Sequence, residues 1–437
     1  MNPLRIILGI TAMLAVAVGA RADDAAPDKS YSGSPFERTT LTGDWGGLRN
    51  ELATKGVTLD ATVTQVTSGV VDGGKDHTWQ YGGRAELSTT IDSQKLGLWP
   101  GGFLLIELEG NWDRATGFRD TGALMPVNSN QLYPIPSGSN FNVPAVTFAQ
   151  FLSHYVGVTF GKFDTLSGDD NEFAHGKGDT QFLNLAFNVN PTLLLAAPYS
   201  TLGAGVIVLP TKDPQAAIVN FTVLQANGNA SEAGFDDLTT DKLTFAGEGR
   251  VRTGFFGLTG HQLVGGAYSN RNFTSLDQRI GAVLDKNLIV KQTDTWAVYY
   301  NFDQYFYEPK KGSGQGAGVF ARLGFSDGNP NPMEDFVSLG IGGKGVFESR
   351  ANDGFGLGFY WIDVKTPTLQ TPLQDLSFLQ DEWGFEAYYA AAVTPWLVLT
   401  PDLQVVEPAQ KKQVLGLLDQ PSVHTDVIVG LRMHVIF

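Results

Sequence analysis

The chain has 437 residues, no cysteine, 52 glycines and a formal charge of −15, and only 17% of its residues are charged, against about 25% in an average soluble domain. With 11% aromatics, 28 Phe among them, it is too apolar for a disordered chain. It is too acidic for a general nucleic-acid binder, which needs a positive surface to displace counterions, and without thiols it holds no thiolate metal site, haem-attachment motif or disulfide framework.

Residues 1–22 read as a secretory signal peptide. Arg5 gives the positive start, Ile6 to Val18 the apolar stretch, and Ala20-Arg21-Ala22 the small residues at a cleavage site, so cleavage is expected after Ala22. The apolar stretch is shorter than the roughly 20 residues a spanning helix needs. Export without cysteine suits an oxidising bacterial periplasm or outer membrane. Residues 23–56 form an N-terminal segment with a short helix: Asp44 is a candidate N-cap, Leu48 and Leu52 are spaced i, i+4, and Gly56 ends it. This helix is expected on the periplasmic side, tucking the N-terminus against the rest of the chain.

From Val57 onward the dominant signal is alternation with period 2, the mark of strands with one apolar and one polar face. Across Trp79 to Asp92, Trp79, Tyr81, Ala85, Leu87 and Ile91 oppose Gln80, Arg84, Glu86, Ser88, Thr90 and Asp92. Between Leu104 and Asn111, Leu104, Ile106 and Leu108 oppose Leu105, Glu107, Glu109 and Asn111. The polar run from Asp113 to Pro144, with Pro126, Pro134, Pro136 and Pro144, reads as a long loop, folded into the interior or lying outside. Asp164, Asp169, Asp170 and Glu172 follow in a turn-rich stretch. Four carboxylates are enough for calcium, but the spacing does not match the EF-hand loop and the stretch is read as a solvated or rim loop. Alternation returns from Leu243 to Arg252, with Glu248 and Arg250 on the polar face, and from Val319 to Ser326, with Phe320 and Arg322 there. Gly340-Ile341-Gly342-Gly343-Lys344-Gly345 satisfies G-x-G-x-x-G, yet no helix follows to receive a pyrophosphate, so it is read as a chance match. The last segment is the cleanest: Val427, Val429, Leu431, Met433, Val435 and Phe437 oppose Asp426, Ile428, Gly430, Arg432, His434 and Ile436.

Ionised side chains near strand centres, segments of about the 9–11 residues that cross a bilayer obliquely, and a terminal strand closing on Phe437 favour a membrane barrel over a soluble sandwich. In lipid every backbone N–H and C=O must be paired within the protein, which forbids a free sheet edge. No composition break divides residues 57–437. The expected fold is all-β: a transmembrane antiparallel β-barrel of about 16 strands with a short N-terminal helix, by an allowance of roughly 24 residues per strand and connection. A barrel of that size encloses water rather than a packed core. The chain carries no H-E-x-x-H, G-x-S-x-G or Walker A pattern, and no cofactor or metal is expected.

Three segments carry a family likeness: Leu41-Thr42-Gly43-Asp44-Trp45-Gly46-Gly47, Phe160-Gly161-Lys162-Phe163-Asp164, and Glu386-Ala387-Tyr388-Tyr389 through Val393-Thr394-Pro395-Trp396-Leu397-Val398-Leu399-Thr400-Pro401-Asp402-Leu403-Gln404. In this order they resemble the carbohydrate-selective porins of the OprB family. The resemblance implies an outer-membrane barrel through which mono- or oligosaccharides diffuse passively into the periplasm, and a constriction lined by Arg and Glu in which Glu109 takes the glutamate's place. It leaves other small polar solutes, or an outer-membrane hydrolase, as alternatives.

The candidate pore-lining and substrate-binding residues, all on polar parities, are Arg84, Glu86, Glu107, Glu109, Asn111, Glu248, Arg250, Arg322, Glu386, Asp402, Gln404 and Arg432, with Phe320 and Tyr388 as aromatic faces for a sugar ring. Trp79, Tyr81 and Trp383 are candidates for interfacial girdles against outer-membrane lipid. Phe437 is the expected signal to the barrel assembly machinery. A homo-oligomer is possible, because an apolar outer stripe suits lipid and a neighbouring barrel alike.

Overall fold

A computed structural model describes residues 31–113, 116–130, 141–236, 238–279, 285–366, 369–370, 379–411 and 422–437. The leader expected over 1–22 and the prolines Pro134 and Pro136 lie outside these residues.

Sixteen antiparallel strands close on themselves. In chain order they are β1 (Val57–Asp72), β2 (Trp79–Asp92), β3 (Gly102–Asp113), β4 (Phe141–Phe151), β5 (Val156–Asp164), β6 (Ser200–Val208), β7 (Ala217–Gln225), β8 (Leu243–Thr253), β9 (Gly260–Ser269), β10 (Thr295–Tyr307), β11 (Gly316–Ser326), β12 (Met333–Lys344), β13 (Gly354–Val364), β14 (Glu382–Thr394), β15 (Leu397–Glu407) and β16 (Asp426–Ile436). Each strand pairs with its chain neighbours, and β1 pairs with β16 from Thr62↔Ile436 to Asp72↔Val427. Every edge is thereby consumed. Among the described residues no helix is long and apolar enough to cross a membrane; the strands do this work.

The alternation read from the sequence sorts side chains as expected. On β2, Trp79 is 55% and Tyr81 48% exposed on the outside, while Arg84 is 1% and Ser88 6% exposed within. On β16, Val429 and Leu431 face out while Ile428, Arg432 and His434 are buried inside. The G-x-G-x-x-G run lies in β12 and its turn, where Gly340 and Gly342 face inward against Phe320 and Phe173. The loop expected from Asp113 to Pro144 ends sooner than proposed. β4 already begins at Phe141, and Pro144 sits where the β3–β4 register slips, a place where a missing N–H costs no ladder bond.

The helix α1 (Leu48–Thr54) precedes β1 at the end of the barrel that carries the short turns. Asp44 does not cap it: the N-cap position is Gly47, with φ 94°, and Asp44 instead accepts from the Gly46 N–H (3.1 Å) and the Ser32 hydroxyl (2.7 Å), closing a turn one step earlier. Gly56 follows the helix with φ +91°, as its stop requires. The helix serves the seam. Arg49 donates to the carbonyls of Phe437 (2.8 Å) and Leu59 (2.7 Å), while its guanidinium lies 4.2 Å from the Tyr31 ring centroid and 5.0 Å from that of Trp45. Phe437 N–H donates to Ala61 O (2.9 Å) just beyond β16.

Candidate functional site: a charged constriction

The connection between β5 and β6, residues 165–199, does not leave the barrel. It carries short 3₁₀ turns, two of which (Leu185–Phe187 and Pro191–Leu193) are capped by the side chains of Asn184 and Asn190. Asx caps of this kind give a chain without regular structure a defined path. Its buried aromatics seat against the wall of β11–β14. Phe173 fills the space over Gly318 and Gly342, Phe182 that over Gly356, and Phe187 that over Gly358. Phe182 also stacks on Phe187 with centroids 4.5 Å apart and meets Phe320 at 5.5 Å and Tyr388 at 4.9 Å. Phe320 and Tyr388 are therefore roofed by the loop, and the aromatic faces expected to meet a sugar ring belong to this packed cluster instead. The inner part of the β3–β4 connection joins it: Ala123, Met125 and Val127 are buried, Ser129 N–H donates to Leu183 O and Leu185 N–H to Pro126 O.

Against the opposite wall the loop brings charge. Register places Glu86 of β2 directly beside Glu109 of β3, and Arg84 beside Asn111. Like charges facing across a ladder repel, and here a cation stands beside each carboxylate. Arg84 bonds Glu86 (3.0 Å) and Asp179 of the loop (2.6 Å). Lys177 pairs with Asp164 at the end of β5 and lies 3.6 Å from Glu109, which also accepts from the Tyr199 hydroxyl. Thr64 of β1 donates to Asp179 (2.8 Å) and bonds His434 (2.8 Å). Glu107, one inward position along β3, is buried. Burial disfavours the Lys177 ammonium, but Asp164, Glu109, Glu107 and Glu86 outweigh it and hold its pKa well above the ordinary lysine value. Of these side chains, Glu86, Asp179 and Lys177 keep the most exposure, at 20%, 13% and 12%. Wall and loop thus meet in a cluster of mixed charge.

Residues 76–437 match the family described as "Carbohydrate-selective porin, OprB family". The chain belongs to that family. Porin B of Pseudomonas aeruginosa is 28% identical over 142 residues, a match that spans 28% of this chain and 28% of that protein. The putative porin QuiX of Acinetobacter baylyi is 21% identical over 425 residues, 86% of this chain and 90% of that one. The high-pH structure of Pseudomonas putida OprB, 20% identical, superposes with a TM-score of 0.76 over 93% of this chain and 100% of that chain, which establishes the shared fold. Family and fold are those of an outer-membrane channel rather than an enzyme.

The porin's remaining sequence-predicted residues fall into two groups that grip the loop. Glu248 accepts from Asp169 N–H (2.9 Å) and the Tyr299 hydroxyl (2.5 Å), Arg250 bonds Asp170 (3.2 Å), and Arg322 bonds the Asp169 carboxylate (2.8 Å) and the carbonyls of Phe187 and Ala174. Across the lumen, Glu386 accepts from Leu183 N–H (2.5 Å) and Asn184 N–H (2.8 Å), Gln404 bonds Val127 O and Asp402, and Arg432 donates to Gly178 O (2.7 Å). Glu382, which period 2 places on the same face, accepts the N–H groups of Leu124, Met125 and Ala409. Asp169 and Asp170, weighed above as calcium ligands, are each taken by an arginine, and Asp164 by Lys177. Between residues 189–197 of the loop and β5–β9 a cavity of about 140 Å³ remains, with Leu193, Leu194 and Leu224 in its lining.

Lys177 and Asp179 were not singled out from the sequence. They sit in Gly176-Lys177-Gly178-Asp179, a stretch with no period. The one available signal was the gap from Asp164 to Ser200 between alternating segments, which exceeds ordinary loop lengths.

Proposed function

We propose that this porin admits sugars to the periplasm by passive diffusion, and that they are sorted at the ring built on Arg84, Glu86, Glu107 and Glu109 of the wall with Lys177 and Asp179 of the loop. The carrying observation is the 165–199 loop seated inside a closed sixteen-stranded barrel with its Lys177–Asp179 turn set against the charged faces of β2 and β3. A sugar presents hydroxyl donors and acceptors around its rim, and a ring of alternating carboxylate and cation offers both in return. Each contact is replaceable by the next along the wall, so residence stays short, as flux demands. Asn111, beside Arg84, extends this polar face outward. The buried anchors Glu248, Arg322, Glu386, Gln404 and Arg432 fix the loop and so set the aperture; Arg250, paired with Asp170, joins them. The short turns and α1 belong to the periplasmic side, as in bacterial outer-membrane barrels generally, and Phe437 is what the assembly machinery reads.

Planar-bilayer recording tests this. Stepwise openings that monosaccharides reduce in a concentration-dependent way are expected; correctly folded barrel with no conductance would defeat the reading.

A further inference from the structure

The ring is not balanced. Around its two cations, Arg84 and Lys177, stand the carboxylates of Glu86, Glu107, Glu109, Asp164 and Asp179. Four of these have a positive partner within 4 Å. Glu107 does not: it is only 8% exposed, and its Oε2 has no hydrogen-bond partner among the described residues. Arg432, the next cation round the wall, is shared between Asp179 and its own carboxylates, Asp402 and Glu386. A surplus of carboxylate inside a narrow, low-dielectric wall focuses a negative potential on the path, the arrangement by which rings of Asp and Glu make pores cation-selective.

We propose that this constriction selects by charge as well as by size: it favours sugar-sized solutes that carry an ammonium group, passes neutral sugars less readily, and turns back sugar acids and sugar phosphates. The proposal rests on the sugar-diffusion reading above and adds a sign to it. An ammonium passing Glu86 and Asp179, the most exposed carboxylates of the ring, adds positive charge to a set in which carboxylates outnumber cations, whereas a carboxylate or phosphate at the same point meets that surplus. The acidic balance of the whole chain, −15, adds to the same bias at the mouths.

The intact purified protein in a planar bilayer under a KCl gradient gives the first measurement. The reversal potential is expected to report a cation preference on the order of tenfold, the effect of about one net negative charge, left once the buried and mutually hydrogen-bonded carboxylates share protons, at roughly 6 Å in an intermediate dielectric. Liposome swelling with glucosamine at neutral pH, glucose and glucuronate gives the second, with entry expected in that order and the spread shrinking as salt rises. Glu86→Gln should lower the cation preference and Lys177→Gln should raise it. A loosened loop alone would move both variants the same way, so the opposite signs isolate charge. Glucuronate entering as fast as glucosamine, a reversal potential at zero or on the anion side, or both variants shifting together would overturn the charge filter. Failure of glucose itself to enter would overturn the sugar-diffusion reading instead.

Discussion

Replacing Gly358 with alanine should open the channel without unfolding it. A Cβ built at Gly358 falls 2.5 Å from Cε1, 2.9 Å from Cζ and 3.0 Å from Cδ1 of Phe187, so the added methyl meets one whole edge of the ring. Carbon atoms settle at about 3.5–4.0 Å, which obliges the ring to withdraw by roughly 1 Å. Phe187 has no slack to absorb this: it is fully buried between Phe182, Phe320 and Tyr360, with centroids at 4.5, 6.3 and 5.6 Å. Overpacking of this kind costs about 1–3 kcal/mol. The ladder of β12, β13 and β14 does not depend on the ring, whereas the seat of the loop does. Mean conductance and open-channel noise should therefore rise and sugar block weaken, while heat-modifiable migration on gels stays near wild type. Phe187→Leu in the same chain should restore part of the block, with a coupling of about 1–2 kcal/mol if block is read as an equilibrium. Gly254→Ala serves as the control, since no atom lies within 4 Å of a Cβ there. If Gly358→Ala conducts and blocks like the parent, the loop is not held by these sockets and the reasoning fails.

Three further outcomes follow from other contacts. Glu386→Ala leaves the buried N–H groups of Leu183 and Asn184 without their acceptor, at about 1–3 kcal/mol each, and should raise conductance and noise much as Gly358→Ala does. Arg49→Ala removes both carbonyl contacts at the seam and two ring contacts; the temperature at which the barrel loses its fast migration should fall while single-channel conductance is kept. Because the carboxylates around Lys177 outweigh its burial and raise its pKa, its charge is lost only when the pH climbs through that raised value. Between about pH 9.5 and 11, across the ordinary lysine value of about 10.4, ion selectivity should therefore hold, and a shift of the reversal potential toward cations within that window would contradict the ring as described.

The barrel was legible because its physics is repeated in every strand. Trp79 to Asp92 and Asp426 to Phe437 alternate so regularly that the inner and outer faces follow from parity alone, and lipid outside with water inside gives parity its meaning. The same rule found Arg84, Glu86, Glu107 and Glu109 together, since adjacent strands align their inward residues. It puts Phe320, Tyr388, Glu386 and Arg322 on the inner face, where the loop covers them, but does not tell an open lumen from a filled one. The filling comes from Phe173, Phe182 and Phe187, whose setting has no period, and from glycines such as Gly356 and Gly358, whose value is the room they leave. Parity sees such a glycine as neither polar nor apolar. Asp44 misled for a related reason: a good capping side chain was present, but a second turn through Gly46 and Gly47 used it first.

The seated loop gives the channel an economy of parts. A cylinder of sixteen staves fixes an outer circumference that can change only by adding or losing a hairpin, yet the usable bore is set by a washer held on a handful of pegs and hollows. Lengthening, trimming or re-facing that washer would yield a channel for a different cargo while every stave, and the route by which the cylinder is assembled, stayed the same.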